Sequence, residues 1–205
     1  MGIKKIAVLV SGSGSNLQAI IDATTAKDGI LRKRAKVVLV ISNNPIAYAL
    51  ERADKAKIEH VVIDRRYYSD DKSYDDDMLK KLQSSEADII CLAGYMRIVG
   101  KNIVEAYPEK ILNIHPALLP KYGGQGMYGH FVHEAVCAAK DTKSGATVHL
   151  VDENYDTGKI VLQKEVELSG TETPQEIAKK VLVVEHQIYP QAIKKIIDEI
   201  EEVEK

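Results

Sequence analysis

The chain has 205 residues, of which 45% are apolar and 28% charged, and its formal net charge is -2. That length and balance describe one soluble α/β-sized core, not a disordered, collagen-like or disulfide-stapled chain. Gripping a nucleic-acid backbone takes a basic excess that is absent here, and no segment reaches membrane-spanning length, so neither a nucleic acid nor a membrane is an expected partner.

The opening MGIKKIAVLV is too short for a secretory signal and runs into Ser-Gly-Ser-Gly where a cleavage site would stand. Gly2 lacks the Ser or Thr four residues on that myristoylation uses, since position 6 is Ile6. A cytoplasmic location is expected. Ile6 to Val10 is a β-branched apolar run, the pattern of a strand buried on both faces. Ser11-Gly12-Ser13-Gly14-Ser15-Asn16 breaks it, and Leu17, Ile20, Ile21 and Ala23 recur at helical spacing.

The unit then repeats. Strands are predicted over Lys36 to Ile41, His60 to Ile63, Ala87 to Leu92 and Ile111 to Ile114. Helices are predicted over Pro45 to Lys57, Lys72 to Ser84 and Asn102 to Tyr107. Alternation of this kind implies parallel pairing, right-handed crossovers and a doubly wound, mostly parallel sheet in a single α/β domain. Cys91 lies in a core strand and Cys137 in a helix over Glu134 to Lys140, so neither a disulfide nor a zinc site is expected. Ala146 to Asp152 and Lys159 to Glu167 read as an antiparallel hairpin with a longish loop. Pro174 opens a long final helix with an apolar stripe from Ile177 to Ile200, bent at Pro190 and frayed at its acidic end.

Ligands of such sheets bind outside the carboxyl ends of the strands. The turn at 11–16 precedes a helix N-terminus and suits a phosphate, with Ser15 and Asn16 capping the helix or binding the anion. It lacks the third glycine of a dinucleotide fingerprint, because position 17 is Leu17, and the Gly-Lys-Ser/Thr of a P-loop. A tight turn with a capped helix explains it equally well. Gly94 permits close approach of backbone to ligand, Met96, Ile98 and Val99 could line a flat apolar pocket, and Arg97 could serve an acidic group.

Asn113-Ile114-His115-Pro116-Ala117-Leu118-Leu119-Pro120 is the most informative stretch. Residues two apart on a strand share a face, so Asn113 and His115 become neighbours. An amide can donate to a developing oxyanion, and an imidazole can move a proton near neutral pH. Leu119-Pro120 is the candidate for a cis bond. Asp156 in the hairpin loop could orient His115 and raise its pKa, although Asp152, Glu153 and Asp156 also suit a solvated turn or a weak cation site. His130 and His133 have helical ligand spacing, but only Glu134 stands near them, and no metal site is expected.

The stretches VLVSGSGSNLQAII, LAGYMRIV, ILNIHPALLPKYGG, SGATVHLVDENYDTGKIVLQ and VEHQIYP together resemble the phosphoribosylglycinamide formyltransferase family, in its order and spacing from about residue 5 to 190. The resemblance implies a Rossmann-like formyltransferase fold filling residues 1–205, with a phosphate-binding half over about 1–100 and a folate and catalytic half over about 101–205. It implies transfer of the formyl group of 10-formyltetrahydrofolate, a co-substrate, to the amine of 5-phosphoribosyl-glycinamide in de novo purine biosynthesis, without a metal. It implies catalytic roles for Asn113, His115 and Asp156. Gly14, Ser15, Asn16 and Glu185 would contact the glycinamide substrate. Met96, Arg97, Ile98, Val99 and Asn113 would contact the folate. The partners are small molecules, and the chain would be a monomer or a homodimer.

Three departures from the family pattern stand out. The stretch from Gly123 to His130 is longer and richer in glycine than in the better-known bacterial versions. Leu182 occupies a position often Gln in relatives. Asp71 or Lys72 stands where some relatives carry an Arg near the folate. Related deformylases carry an additional N-terminal domain, and tRNA formyltransferases an additional basic one. A nucleotide-binding module without catalysis leaves the pairing of His115 with Asp156 unexplained.

Overall fold

The predicted alternation becomes a single mixed sheet in a computed structural model that describes residues 2–204. In chain order the elements are β1 (Lys4–Val10), α1 (Ser15–Thr25), β2 (Ala35–Ser42), α2 (Tyr48–Lys55), β3 (Glu59–Val62), α3 (Asp71–Ser84) and β4 (Ile89–Leu92). They continue with α4 (Lys101–Ala106), β5 (Ile111–His115), α5 (His130–Ala138), β6 (Lys143–Leu150), β7 (Ile160–Glu167) and α6 (Pro174–Val203). The strand order is β3-β2-β1-β4-β5-β6-β7. β3, β2, β1, β4 and β5 pair in parallel, whereas β6 is antiparallel to both β5 and β7. The chain reverses its winding direction between β2 and β4, on either side of β1, and this opens a crevice at the carboxyl ends of β1 and β4.

Side-chain alternation on β1 assigns the two layers. Ile6, Val8 and Val10 pack with Leu17 and Ile20 of α1 and with Ile188, Ile193 and Ile197 of α6. Ala7 and Leu9 face Tyr74, Met78 and Leu82 of α3 and Ile103 of α4. Tyr189 of α6 is fully buried, and its hydroxyl is shared between the carbonyls of Leu92 (2.9 Å) and Leu112 (3.0 Å). It thereby ties α6 to the last residues of β4 and the middle of β5, directly beneath the crevice.

Several boundaries move for local reasons. α2 begins at Tyr48 because the side chain of Asn44 accepts from the amide of Ile46 and its carbonyl accepts from the amide of Ala47, which folds residues 44–47 into a turn first. β6 begins at Lys143 because β7 pairs with it from that residue (Lys143↔Glu167), and it ends at Leu150. α5 starts at His130, immediately after Gly129 with φ 52.

Helix α6 starts with a capping box, in which Thr173 Oγ1 accepts from the amide of Glu176 and the amide of Thr173 donates to Glu176 Oε2 at 2.8 Å. It runs on through Pro190, whose ring removes one helical hydrogen bond without ending the element. Its acidic end is pinned, not frayed. Lys4 reaches Glu204 at 2.7 Å, and Arg34 forks to Asp198 and Glu201 at 2.6 Å each. Lys205 lies outside the described residues. Among the described residues, no helix is long and apolar enough to cross a membrane. The Leu119-Pro120 bond is cis.

Candidate active site

The turn after β1 is built to leave backbone N–H groups free. Gly14 is the residue before α1, in the left-handed region at φ 70, and no side chain caps the helix. The expected capping by Ser15 or Asn16 does not occur, because Asn16 instead donates its amide to Glu185 Oε2 at 2.6 Å. The first three carbonyls of the turn are engaged from the β2–α2 side, and that of Gly14 accepts from Gln18 of α1. Asn44 donates to Ser11 O (3.1 Å), Ala49 N to Gly12 O (3.1 Å) and Arg52 Nε to Ser13 O (2.8 Å). With its carbonyls held back, the turn presents its N–H groups and the positive end of α1 outward. A Cβ at Gly14 would sit 2.6 Å from that of Ala49, so only glycine lets α2 approach this closely.

Beside this turn, the chain leaving β4 crosses the same edge. Met96 N donates to Ser11 Oγ at 2.9 Å, which joins the two turns. Met96 and Ile98 stay half-exposed on the crevice wall, and Val99 is buried. Arg97 is held by Asp71 at 3.1 Å over the ring of Tyr74. Asp71 also takes Arg65 at 2.6 Å, whereas Lys72 turns away to Asp76. Of the two residues singled out near the folate side, only Asp71 thus contacts a residue of the crevice. Leu182 lies half-buried on α6, one turn before Glu185.

Asn113 and His115 lie on one face of β5, opposite His149 and Thr147 of β6. His115 is 3% exposed, and its Nε2 lies 2.7 Å from the carbonyl of Tyr122. A carbonyl only accepts, so Nε2 carries the proton and Nδ1 presents a lone pair. That Nδ1 lies 3.5 Å from Asp156 Oδ2. Asp156 sits in the left-handed region at φ 55, and its Oδ2 also accepts from the amide of Gly124 at 3.0 Å. The exit of β5 is fixed by Thr147, which donates to Ala117 O (2.6 Å) and accepts from the amide of Leu119 (3.1 Å) and from Gln163 (2.8 Å).

Burial pushes the His115 imidazole below its ordinary value and outweighs the upward pull of Asp156 and of the Tyr122 carbonyl. The sequence expectation that the carboxylate raises this pKa therefore holds for its own contribution and fails for the sum, because desolvation disfavours the charged ring more. The shift favours the neutral form of the His115 ring. Burial also works to raise Asp156, but His149, His115 and the Gly124 amide together hold the carboxyl below its usual range. Glu185, 9% exposed, is pushed up by burial despite the amide of Asn16.

These side chains meet in one cavity of about 240 Å³. Asn113, His115, Asp156, Asn16, Glu185, Met96, Arg97, Ile98 and Val99 line it. Ser15 lines a separate shallow groove between α1 and α6, and Gly14, in the turn before α1, lines neither space. The glycine-rich stretch supplies part of the wall through Gly124, Gly126, Met127, Tyr128 and Gly129. Three contributors escape a side-chain reading of the sequence, namely the carbonyl of Tyr122, the amide of Gly124 and His149, while His133, noted only for its spacing from His130, lines the cavity as well. The first two are backbone groups and leave no signature. His149 could have been found from alternation with Thr147 on a strand facing β5. His133 is buried, its Nδ1 has no hydrogen-bond partner among the described residues, and burial pushes its pKa down to about 4. His130 stacks instead on Phe131.

The arrangement offers a neutral imidazole base, an amide donor and an anion-binding helix end around one space. It agrees with what the chain is similar to. The family described as Formyl transferase matches residues 4–193. The phosphoribosylglycinamide formyltransferase of Haemophilus influenzae is 43% identical over 192 residues, covering 94% of this chain and 86% of that protein. The trifunctional purine biosynthetic protein adenosine-3 of Drosophila melanogaster is 38% identical over 95% of this chain, which spans only 14% of that longer protein. The solved glycinamide ribonucleotide transformylase 1 of Symbiobacterium toebii superimposes with a TM-score of 0.88 at 36% identity, covering 96% of this chain and 89% of its own. Its fold, its crevice and these relatives lead to one assignment, and the chain belongs to the phosphoribosylglycinamide formyltransferase family.

Proposed function

We propose that the protein transfers the formyl group of 10-formyltetrahydrofolate to the amine of 5-phosphoribosyl-glycinamide, with Asn113, His115 and Asp156 as the reacting centre. The observation that carries this reading is that the three share one cavity, with an apolar wall (Met96, Ile98, Val99) on one side and an anion-binding helix end with Asn16 and Glu185 on the other. The folate ring suits the first side. The ribose phosphate suits the second, where unengaged N–H groups and the helix dipole favour a dianion.

The chemistry follows from the groups. The amine attacks the formyl carbon, the carbonyl π pair moves onto oxygen, and an N–H of Asn113 stabilises the oxyanion. The attacking nitrogen must lose a proton, and the lone pair on His115 Nδ1 accepts it. The imidazolium so formed lies beside the Asp156 carboxylate, which stabilises the charge. As the intermediate collapses, the bond from carbon to N10 breaks, and N10 takes up a proton from His115. Every proton returns, and the enzyme is regenerated.

An assay with 10-formyltetrahydrofolate and glycinamide ribonucleotide, scored for formylated product and for free formate, tests this reading. Formylated ribonucleotide in step with loss of the folate supports it. Formate without formylated product would assign a hydrolase instead. Gly14→Ala is expected to raise KM for the phosphorylated substrate about tenfold or more with kcat changed only a few-fold. The left-handed conformation costs a non-glycine residue about 1–2 kcal/mol, and the clash with Ala49 tilts the turn that holds the phosphate. Steady-state kinetics in both substrates checks it, and an unchanged KM would remove the turn from the binding site.

A further inference from the structure

His149 is a buried titratable group that the mechanism above does not use. It is 2% exposed, faces the cavity from β6, and touches two of the three reacting residues. Its Nδ1 lies 2.8 Å from the carbonyl of Leu150. A carbonyl offers no proton, so Nδ1 carries it, and in the neutral ring Nε2 is left as an acceptor. That acceptor lies 3.1 Å from Asn113 Nδ2. An amide nitrogen only donates. The pair is complementary in one arrangement alone, with Asn113 turned so that its nitrogen points at His149.

The consequence lies in the rest of that amide. One N–H is spent on His149, and the second N–H projects from the same nitrogen at a fixed angle. An isolated Asn could present either oxygen or nitrogen to the cavity, since the two ends have nearly the same shape. Only the nitrogen can stabilise an oxyanion, and the oxygen would repel it.

We infer that His149 is a positioning residue that selects the orientation of the Asn113 amide, so that an N–H and not the carbonyl oxygen meets the developing oxyanion. The inference rests on the reading of Asn113 given above. The neighbouring Asp156 Oδ1, 3.4 Å from the same Nε2, competes with Asn113 for it, because a carboxylate favours a proton there. A protonated Nε2 would donate to that carboxylate and could no longer accept from Asn113. The Leu150 carbonyl, by fixing the proton on Nδ1, keeps Nε2 available in the neutral ring.

The test uses the two amide replacements, which divide the functions of the ring. Gln in place of His sets an oxygen acceptor near the position of Nε2, whereas Asn reaches only the position of Nδ1. Loss of one oxyanion donor costs about 10²–10³ in turnover, so His149→Asn is expected to lower kcat at least about tenfold with KM for both substrates within a few-fold. His149→Gln is expected to recover most of that loss. In an Asn113→Ala background, His149→Asn is expected to cost less than about twofold more, because the group it orients is gone. Equal losses in the two backgrounds overturn the inference and leave the reading of Asn113 intact. Wild-type turnover in Asn113→Ala alone overturns that reading and this inference with it. Should the His149 variants fail to fold, ¹⁵N spectra of histidine-labelled wild-type protein decide the matter. An unprotonated Nε2 on His149 at neutral pH supports the inference, and a protonated one overturns it.

Discussion

Asp156→Asn is expected to lower kcat at least about a hundredfold, at the lower end of what positioned proton-transfer groups contribute, while KM for both substrates changes only a few-fold. The substitution is chosen because an Asn oxygen can still accept from the amide of Gly124, so the loop keeps its anchor. What disappears is the negative charge 3.5 Å from His115 Nδ1. In the proposed mechanism that charge stabilises the imidazolium formed when the amine loses its proton.

The same variant carries a signed pH prediction. His115 must be neutral to act as the base, so the rate falls as pH drops through its pKa. Burial sets that pKa below the ordinary 6.5, and Asp156 opposes the shift. The acid limb of kcat/KM in the parent enzyme is therefore expected below pH 6.5. Removing the carboxylate removes an upward pull, so the limb in Asp156→Asn moves to still lower pH. A profile of kcat/KM across the acid range measures both effects. An upward move of the limb, or undiminished turnover, would reduce Asp156 to a turn residue.

Gly158→Ala is expected to destabilise the protein by about 3 kcal/mol, the upper part of the range for overpacking a closed site. For a chain of this size that corresponds to a melting point lower by about 6–12 °C. A Cβ at position 158 would lie 1.8 Å from the carbonyl oxygen of Leu150 and 2.8 Å from its carbon, and both are backbone atoms that cannot rotate away. The strands on either side of the loop must part, and the loop carries Asp156. The Leu150 carbonyl is also the partner of His149 Nδ1, so the change reaches the site from two directions. Thermal and denaturant unfolding measure the loss. A melting point within about a degree of the parent would show that the hairpin relaxes freely at this point. The glycine of the Asp-Thr-Gly triplet is thus explained by space, and its φ is not positive.

Much of this was legible in the sequence because burial on two faces writes itself as unbroken β-branched runs. Ile6 to Val10 and Ile89 to Leu92 show it, and the helices between them follow from their spacing. The partnership of Asn113 with His115 was legible from strand parity alone. The direction of the His115 pKa was not, because it is a contest between a charge that the sequence displays and a desolvation that only packing decides. Nor was the left-handed backbone at Tyr122, an aromatic residue that seldom adopts it, whereas Asp156 is of a type that tolerates it. The residue type of Asn16 suits either a helix cap or an anion contact. A carboxylate 169 residues away at Glu185 offers it a better partner, and no local rule contains that competition.

Helix α6, 30 residues long, follows every strand of the sheet in the chain and lies against both halves of the site. Its Ile188, Ile193 and Ile197 cover α1, its Glu185 meets Asn16, and its Tyr189 closes the seam between β4 and β5. Chains are synthesised from the N-terminus, so the face of α1 stays uncovered until α6 leaves the ribosome. The turn before α1 and the carboxyl end of β5 are therefore expected to mature together. Both become native together when α6 docks, and a nascent chain stalled after β7 is expected to engage chaperones and to hold neither substrate.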